Sequence, residues 1–509
     1  MASLTRIGRF PPSIQSMQAC GLQCLRSSRW QQPWLSNDSS KETCSISFNA
    51  WLGFTKQFFP FFWFFPFFKS SLCLDDNVLN KFTVSTETLR AMIEQFHSEM
   101  ADGLSKDKKS SLKMLPSFVR STPTGKESGD YLALDIGGTN FRVLRCSLND
   151  GQIQTNAEVY PMSSEVMTGT GRDLFAFIAD CIKSFLQKYD IKGSNIPLGF
   201  TFSFPCTQHS LNRATLITWT KGFTASGVEG EEVVQLLQNA LAERCPDFKV
   251  NVAAIVNDTV GTLMASAYEN PKSVIGLIIG TGTNACYMEQ LDAVEKWTGD
   301  RDDPKQVIIN IEWGSFGDHG HLDNIRTGFD REIDEHSLNR GKNTFEKMIS
   351  GMYLGEVVRL AALLLVKDGA LFNGNAGDKF NIRESFETRY VSEIVGENGA
   401  ANAREILKDK FGIDASESDV DTIVKLCNAA SVRAGRLAAT GIAAILLKIN
   451  ETKDRIVAVD GSVYKKHPTF AKIMSDTLSE LIPGNTISWV LADDGSGVGA
   501  AMVAAVTKV

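Results

Sequence analysis

At 509 residues, with 43% hydrophobic and 22% charged side chains, the chain has the composition of an ordinary globular protein and the length for more than one domain. A net charge of -7 leaves no basic footprint for nucleic acid, so a small-molecule partner is expected. Ten cysteines lie scattered without CxxC pairs or metal-ligand spacing, which points to reduced thiols in a cytosol-like compartment and against a disulfide framework.

Residues 1–73 are read as an N-terminal extension. From Met1 to Asn37 there is no Asp or Glu, while Arg6, Arg9, Arg26 and Arg29 sit among serines, glutamines and apolar residues. That is the composition of a mitochondrial transit segment, with a disordered tail as the equal alternative. The run FFPFFWFFPFF, Phe58 to Phe68, falls short of the roughly 20 apolar residues a spanning helix needs, and its prolines break a helix, so a membrane surface or a partner is the better destination. From Leu89 the residues Leu89, Met92, Ile93, Phe96 and Met100 trace one apolar helical face. A polar loop follows, and then strands and helices alternate: Tyr131 to Leu148, helix Gly171 to Lys188, strand Pro197 to Ser203, helix Glu231 to Glu243, strand Val250 to Val256. The pattern restarts at Ser273, with a long helical stretch from Thr344 to Val366, more helices to Ile449, and strands at Arg455 to Val459 and Thr486 to Leu491. Such alternation predicts an α/β protein with two sheet-containing halves.

Two stretches repeat one design: LALDIGGTNFRV (Leu132 to Val143) and IGLIIGTGTNACYM (Ile275 to Met288), each a strand, a glycine turn with Thr-Asn, and a second strand. Gly137, Gly138 and their counterpart Gly282 leave backbone N–H groups uncovered, so each turn can cradle phosphate. Thr139 and Asn140 add side-chain donors. The repeat predicts one turn in each half, gripping the phosphates of one nucleotide across a cleft. Asp135, ending its strand beside the first turn, is placed to organise a hydrated Mg²⁺, which keeps several waters and takes few protein ligands.

These stretches, with GFTFSFPC (Gly199 to Cys206), TWTKGF (Thr218 to Phe223), IVNDTVGTL (Ile255 to Leu263) and NIEWGSFGD (Asn310 to Asp318), resemble in order and spacing the eukaryotic hexokinase family, over roughly Val84 to Val506. The resemblance implies a two-lobed, actin-like (ribonuclease H-like) ATPase fold with a cleft between lobes. It implies a small lobe at 74–257 and a large lobe at 258–509, the last helix returning to the small one. It further implies a single catalytic unit that phosphorylates the 6-hydroxyl of glucose, fructose or mannose with ATP and Mg²⁺. The sugar would meet Ser203, Thr220, Lys221, Asn257, Asp258, Asn284, Glu312 and Glu346. Asp258 suits the general base, because a hydroxyl is a poor nucleophile and gains from a carboxylate that takes its proton. It also reads as a helix cap before the run Val260 to Tyr268. Glu346 likewise reads as a first-turn helical glutamate. Lys221 would add positive charge beside the transferring group.

On the nucleotide side the expectation is Asp135, Gly137, Gly138, Thr139, Asn140, Arg142, Thr281, Gly282 and Thr283, with Gly461, Ser462, Gly495 and Ser496 from two later turns. The last turn mimics a dinucleotide fingerprint but has no acidic residue about 20 positions on. Val498 stands where many family members carry Lys or Arg, so a charge contact near the nucleotide is expected to be missing. An ATPase of the same fold that drives conformational change would have no use for the sugar motifs, and a silent hexose sensor would have lost Asp258 or Lys221. The expected setting is a cytosolic monomer, associated with mitochondria if the extension acts as a targeting segment.

Overall fold

The computed structural model describes residues 71–509, with side chains from residue 76, apart from 137–139, 150, 192–194, 220–221, 493 and 508–509. The transit-like segment and the aromatic run lie outside the described residues. Helix α1, Thr86–Leu104, buries Leu89, Met92, Ile93, Phe96 and Met100 on the face their spacing predicts. Ser85 caps it, its hydroxyl accepting from Thr88 N at 3.2 Å.

Two sheets follow. The first contains β1 (Gly129–Ile136), β2 (Asn140–Asn149), β3 (Gln152–Pro161), β4 (Ile196–Phe202) and β5 (Val250–Val256), in the order β3-β2-β1-β4-β5. The second contains β6 (Ser273–Ile279), β7 (Thr283–Gln290), β8 (Gln306–Asn310), β9 (Lys453–Asp460) and β10 (Thr486–Leu491), in the order β8-β7-β6-β9-β10, with the short strand Leu115–Pro116 added beside β8. Each sheet pairs its first three strands antiparallel and its last two parallel. The two therefore repeat one topology, and the glycine turn falls between the first and second strands of each copy. That is the duplicated, two-lobed actin-like arrangement expected from the resemblance.

Strand β3 went unread in the sequence because QIQTNAEVYP is largely exposed along an edge and lacks apolar alternation. The stretch Thr344 to Val366 is not one helix, as its composition suggested, but α5 (Thr344–Ile349) and α6 (Leu354–Lys367). Between them the backbone leaves helical geometry to bond the second glycine turn: Gly351 N donates to Gly280 O at 2.8 Å and Met352 N to Thr281 O at 3.1 Å. A tertiary contact has won over helix propensity.

Helices α2 (Gly171–Lys188) and α3 (Val233–Arg244) pack on one face of the first sheet through Phe175, Ile178, Phe185 and Leu237. On its other face lie α4 (Asp258–Glu269) and the final helix α8 (Gly495–Val506), joined by Leu144, Leu263, Met264, Ala500 and Met502. Helix α7, Glu417–Lys448, is long and apolar enough to cross a membrane, but 83% of its apolar window is buried within the protein. It is the core helix of the second half.

Candidate active site

Strand pairing sets Asp135 directly opposite Arg142. The guanidinium Nη2 donates to Asp135 Oδ2 at 2.6 Å, and Ser496 Oγ, in the first turn of α8, donates to the same oxygen at 2.8 Å. The second arm of Arg142 pairs with Asp494, just ahead of that helix. Burial alone would lower the Arg142 pKa, yet the charges of Asp135 and Asp494 outweigh it and raise the value, so the cation is secure. A cleft of about 280 Å³ opens here. Asp135, Asn140, Arg142 and Ser203 reach it from the first sheet, and Asp258, Asp460, Gly461 and Ser496 from the elements facing it. Ser203, buried at the end of β4, is held by its backbone N–H, which donates to Ile136 O at 3.1 Å.

Asn257 leaves β5 and caps α4: its Oδ1 accepts from Thr259 N at 3.0 Å and from Thr259 Oγ1 at 2.7 Å. Asp258, the first helical residue, has its Oδ1 within 2.9 Å of the same N–H and borders the cleft. The cap expected at Asp258 thus falls one residue earlier, on Asn257, and Asp258 sits in the first turn, where a carboxylate suits the helix dipole, while still facing the cleft. Beside it, β7 and β8 pair Cys286 with Asn310, and Ile311 N continues the ladder to Ala285 O at 3.0 Å, which brings Asn284 beside Glu312. Asn284 Nδ2 donates to Glu312 Oε1 at 3.0 Å and to Asn310 Oδ1 at 2.8 Å, and lies 3.5 Å from Asn257 Oδ1. Glu312 has φ 55° and ψ 51°, a left-handed conformation of the strained kind that collects at functional sites.

Glu346 Oε2 accepts from Thr283 N at 3.1 Å, tying α5 to the second glycine turn, within which Gly280 N donates to Gly282 O at 2.9 Å. Asp318 anchors the start of α5 by accepting from Asn343 N and Thr344 N at 3.1 and 2.9 Å, and burial raises its carboxyl above the usual range. The Thr283 hydroxyl, assigned from sequence to the nucleotide, is committed inside the fold: it donates to Ile278 O at 2.9 Å and accepts from Trp313 Nε1 at 3.0 Å. Thr281 and Ser462 instead line a second, larger cavity of about 730 Å³, together with Thr388, Ser392 and Lys466. Gly495 begins α8 ahead of Ser496. Gly137, Gly138, Thr139, Thr220 and Lys221 lie outside the described residues.

Val498 faces neither cavity; it packs in the buried cluster between α4 and α8, so an apolar side chain satisfies its surroundings. Sequence reasoning missed Asp460, Asn310, and Thr388 and Ser392 in the second cavity. Asp460 carried a signal, an acidic residue ending a strand before a glycine turn, as Asp135 does. Thr388 and Ser392 carried none, since they come from a helical region with no motif of its own. The thiols of Cys146, Cys206 and Cys286 are pushed up to about 12, chiefly by burial, so these cysteines stay protonated and serve packing.

Two family models, both described as Hexokinase, match residues 75–268 and 274–506. The chain is 46% identical over 441 residues to Hexokinase-1 of Rattus norvegicus and 46% identical over 442 residues to Hexokinase-2 of Homo sapiens, in each case across 85% of this chain and 48% of the relative. It thus spans about half the length of the curated relatives it matches. Among solved structures, a hexokinase from Schistosoma mansoni complexed with glucose superposes with a TM-score of 0.79 at 42% identity, covering 86% of this chain and all of that one. A second structure, titled a hexokinase, gives 0.75 at 32% identity, covering 85% of this chain and 98% of its own.

Proposed function

Since the chain belongs to the hexokinase family, we propose that it transfers the terminal phosphoryl group of ATP to the 6-hydroxyl of D-glucose, and of fructose and mannose. One observation carries this reading: Asp258 opens on the same cleft as the Asp135–Arg142–Ser496 cluster and stands next to the Asn257–Asn284–Glu312 network. The carbonyl oxygen of Asn284 and the carboxylate of Glu312 supply acceptors suited to sugar hydroxyls, with Ser203, Thr220, Asn257 and Glu346 completing the ring. Asp258 orients the 6-hydroxyl and takes its proton as the oxygen attacks phosphorus. Arg142 and Lys221 offset the negative charge on the transferring group.

The donor set fits a magnesium ion held with few protein ligands. Asp135 and Asp460 both border the cleft, while among the described residues no group of three His, Cys, Asp or Glu is placed to bind a metal directly. Asp135 would hold the ion through water, and the ion would neutralise phosphate charge. The second cavity, with Thr281, Ser462, Thr388 and Ser392, takes the adenosine end. We assign residues 74–257 to the small lobe and 258–509 to the large one; the packing of α8 against β1 and β4 supports its return to the small lobe. Free cysteines at all six described positions accord with a reducing, cytosolic setting, with mitochondrial association left to the N-terminal extension and the catalytic unit acting as a monomer.

The test is a coupled assay with glucose, fructose, mannose and glucosamine on the parent chain and on Asp258→Ala. The variant is expected to lose turnover by several orders of magnitude while still binding glucose. Turnover near the parent value in a folded Asp258→Ala protein removes Asp258 as the base.

A further inference from the structure

Asn310 opens the NIEWGSFGD stretch without a role assigned to it above, yet it is buried at the end of β8 and spends both ends of its amide on the sugar network. Its Nδ2 donates to Glu312 Oε1 at 2.8 Å, and its Oδ1 accepts from Asn284 Nδ2 at 2.8 Å, while Asn284 Nδ2 also donates to Glu312 Oε1 at 3.0 Å. The three side chains close a triangle. The strand ends at Asn310 and the chain turns at the left-handed Glu312, which lets the two side chains meet at 2.8 Å, and the continued β7–β8 ladder brings Asn284 to join them. An ionised carboxylate only accepts hydrogen bonds, so both amides must turn their NH₂ groups toward it.

We infer that Asn310 is a positioning residue for sugar recognition: with Asn284 it saturates one oxygen of Glu312 and so aims the other at a hexose hydroxyl. Among the described residues no donor meets Glu312 Oε2; both amides bond Oε1. The arrangement also offsets the left-handed backbone of Glu312, whose strain persists only where surrounding bonds over-determine it. The inference rests on the sugar-site reading of Glu312.

Two substitutions separate positioning from packing. Asn310→Asp keeps the shape and still accepts from Asn284, but it faces Glu312 with a second carboxylate, and neighbouring like charges disfavour ionisation of both. Asn310→Leu keeps the bulk and removes both bonds without adding charge. If Asn310 only filled space, the isosteric Asp would be the milder change. If it positions Glu312, the Asp is the harsher one.

The experiment measures kcat and both KM values on the full chain for Asn310→Asp, Asn310→Leu and Glu312→Gln. Asn310→Asp is expected to raise the KM for glucose about tenfold or more, the size of one lost charge-assisted hydrogen bond, with the KM for ATP within about twofold of the parent. Asn310→Leu is expected to raise it less. A glucose KM within twofold for Asn310→Asp, or a larger defect in Asn310→Leu, overturns the inference. Should the Asp variant fail to fold, Asn310→Leu decides alone: a raised glucose KM at constant ATP KM supports positioning, and an unchanged one refutes it. Glu312→Gln serves the underlying reading, because an unaltered glucose KM there sinks the sugar site itself, whereas a raised one beside a silent Asn310→Asp sinks only the role of Asn310.

Discussion

Arg433 and Asp330 are each 1% exposed and meet in a bidentate pair, Nη1 to Oδ2 and Nη2 to Oδ1, both at 2.7 Å. Thr327 adds its N–H and hydroxyl to Asp330 Oδ2, each at 2.7 Å, and the guanidinium lies 5.2 Å from the Phe82 ring. Burial would raise the Asp330 carboxyl, but the charge and hydrogen bonds of Arg433 and the bonds from Thr327 hold it below the usual range. A depressed carboxylate contributes stability that is complete above the ordinary aspartate range and is lost as pH falls through the lowered value. Asp330→Ala leaves an uncompensated buried cation and should cost about 3–5 kcal/mol in chemical denaturation at neutral pH, whereas replacing both partners with apolar residues should cost far less. An equal loss from the single and double changes would show that packing, and not the orphaned charge, sets the cost. Nothing in the spacing of residues 330 and 433 foretold this pair. Asp258 was different: a strand, an Asn-Asp pair and a helical run announced its place between a strand end and a helix, although the cap itself falls one residue earlier, on Asn257.

Among the elements, α4 and α8 approach so closely that side chains have no room at the crossing. A Cβ on Gly499 would sit 1.8 Å from Gly261 O, and one on Gly199 would sit 1.9 Å from Ala500 O, which locks α8 to both α4 and β4. Gly499→Ala should therefore destabilise the fold by about 3 kcal/mol or more, or abolish soluble expression, since backbone cannot yield as a flexible side chain can. Gly328→Ala, where nothing lies within 4 Å, is the control and should stay within about 0.5 kcal/mol in the same thermal unfolding series. Similar midpoints for both variants would refute the close-packed crossing. From sequence, Gly495 and Ser496 of GSGVGAA are expected at the nucleotide, while Gly499 has no assigned role. Ser496 does face the cleft, but Gly499 serves helix packing.

At the scale of the whole molecule, the proposed reaction must spare water, which is smaller than the sugar hydroxyl and more abundant. Groups from the first sheet, Asp135, Arg142 and Ser203, stand across the cleft from Asp460 and Gly461 of the second. A closure driven by sugar binding would complete this constellation only when the sugar is present. Trp219 is placed to report it: its ring stacks on Phe223 at 5.2 Å and meets Phe204, the neighbour of Ser203 in sequence, edge-on at 4.9 Å. Glucose alone should compact the protein in small-angle scattering and change tryptophan emission. ATP hydrolysis without sugar should be at least about a thousandfold slower than glucose phosphorylation, on the order of 4 kcal/mol of barrier. Unchanged scattering together with brisk sugar-independent hydrolysis would favour an ATPase over a kinase.

What the sequence determined by itself was whatever repeats locally: the duplicated strand–turn–strand units, the apolar face of α1, the strand-to-helix junction at Asp258, and the motifs that marked the family. These follow from short-range periodicity and turn chemistry, which need no knowledge of the rest of the chain. Only the tertiary structure decided that Thr283 turns inward and that α5 and α6 break at Gly351. It alone brought Asn310 to Glu312, Ser496 to Asp135 and Arg433 to Asp330. Each of these joins groups on separate elements or breaks a local preference for a distant hydrogen bond, and such partners are set by how sheets and helices pack, which no local pattern encodes.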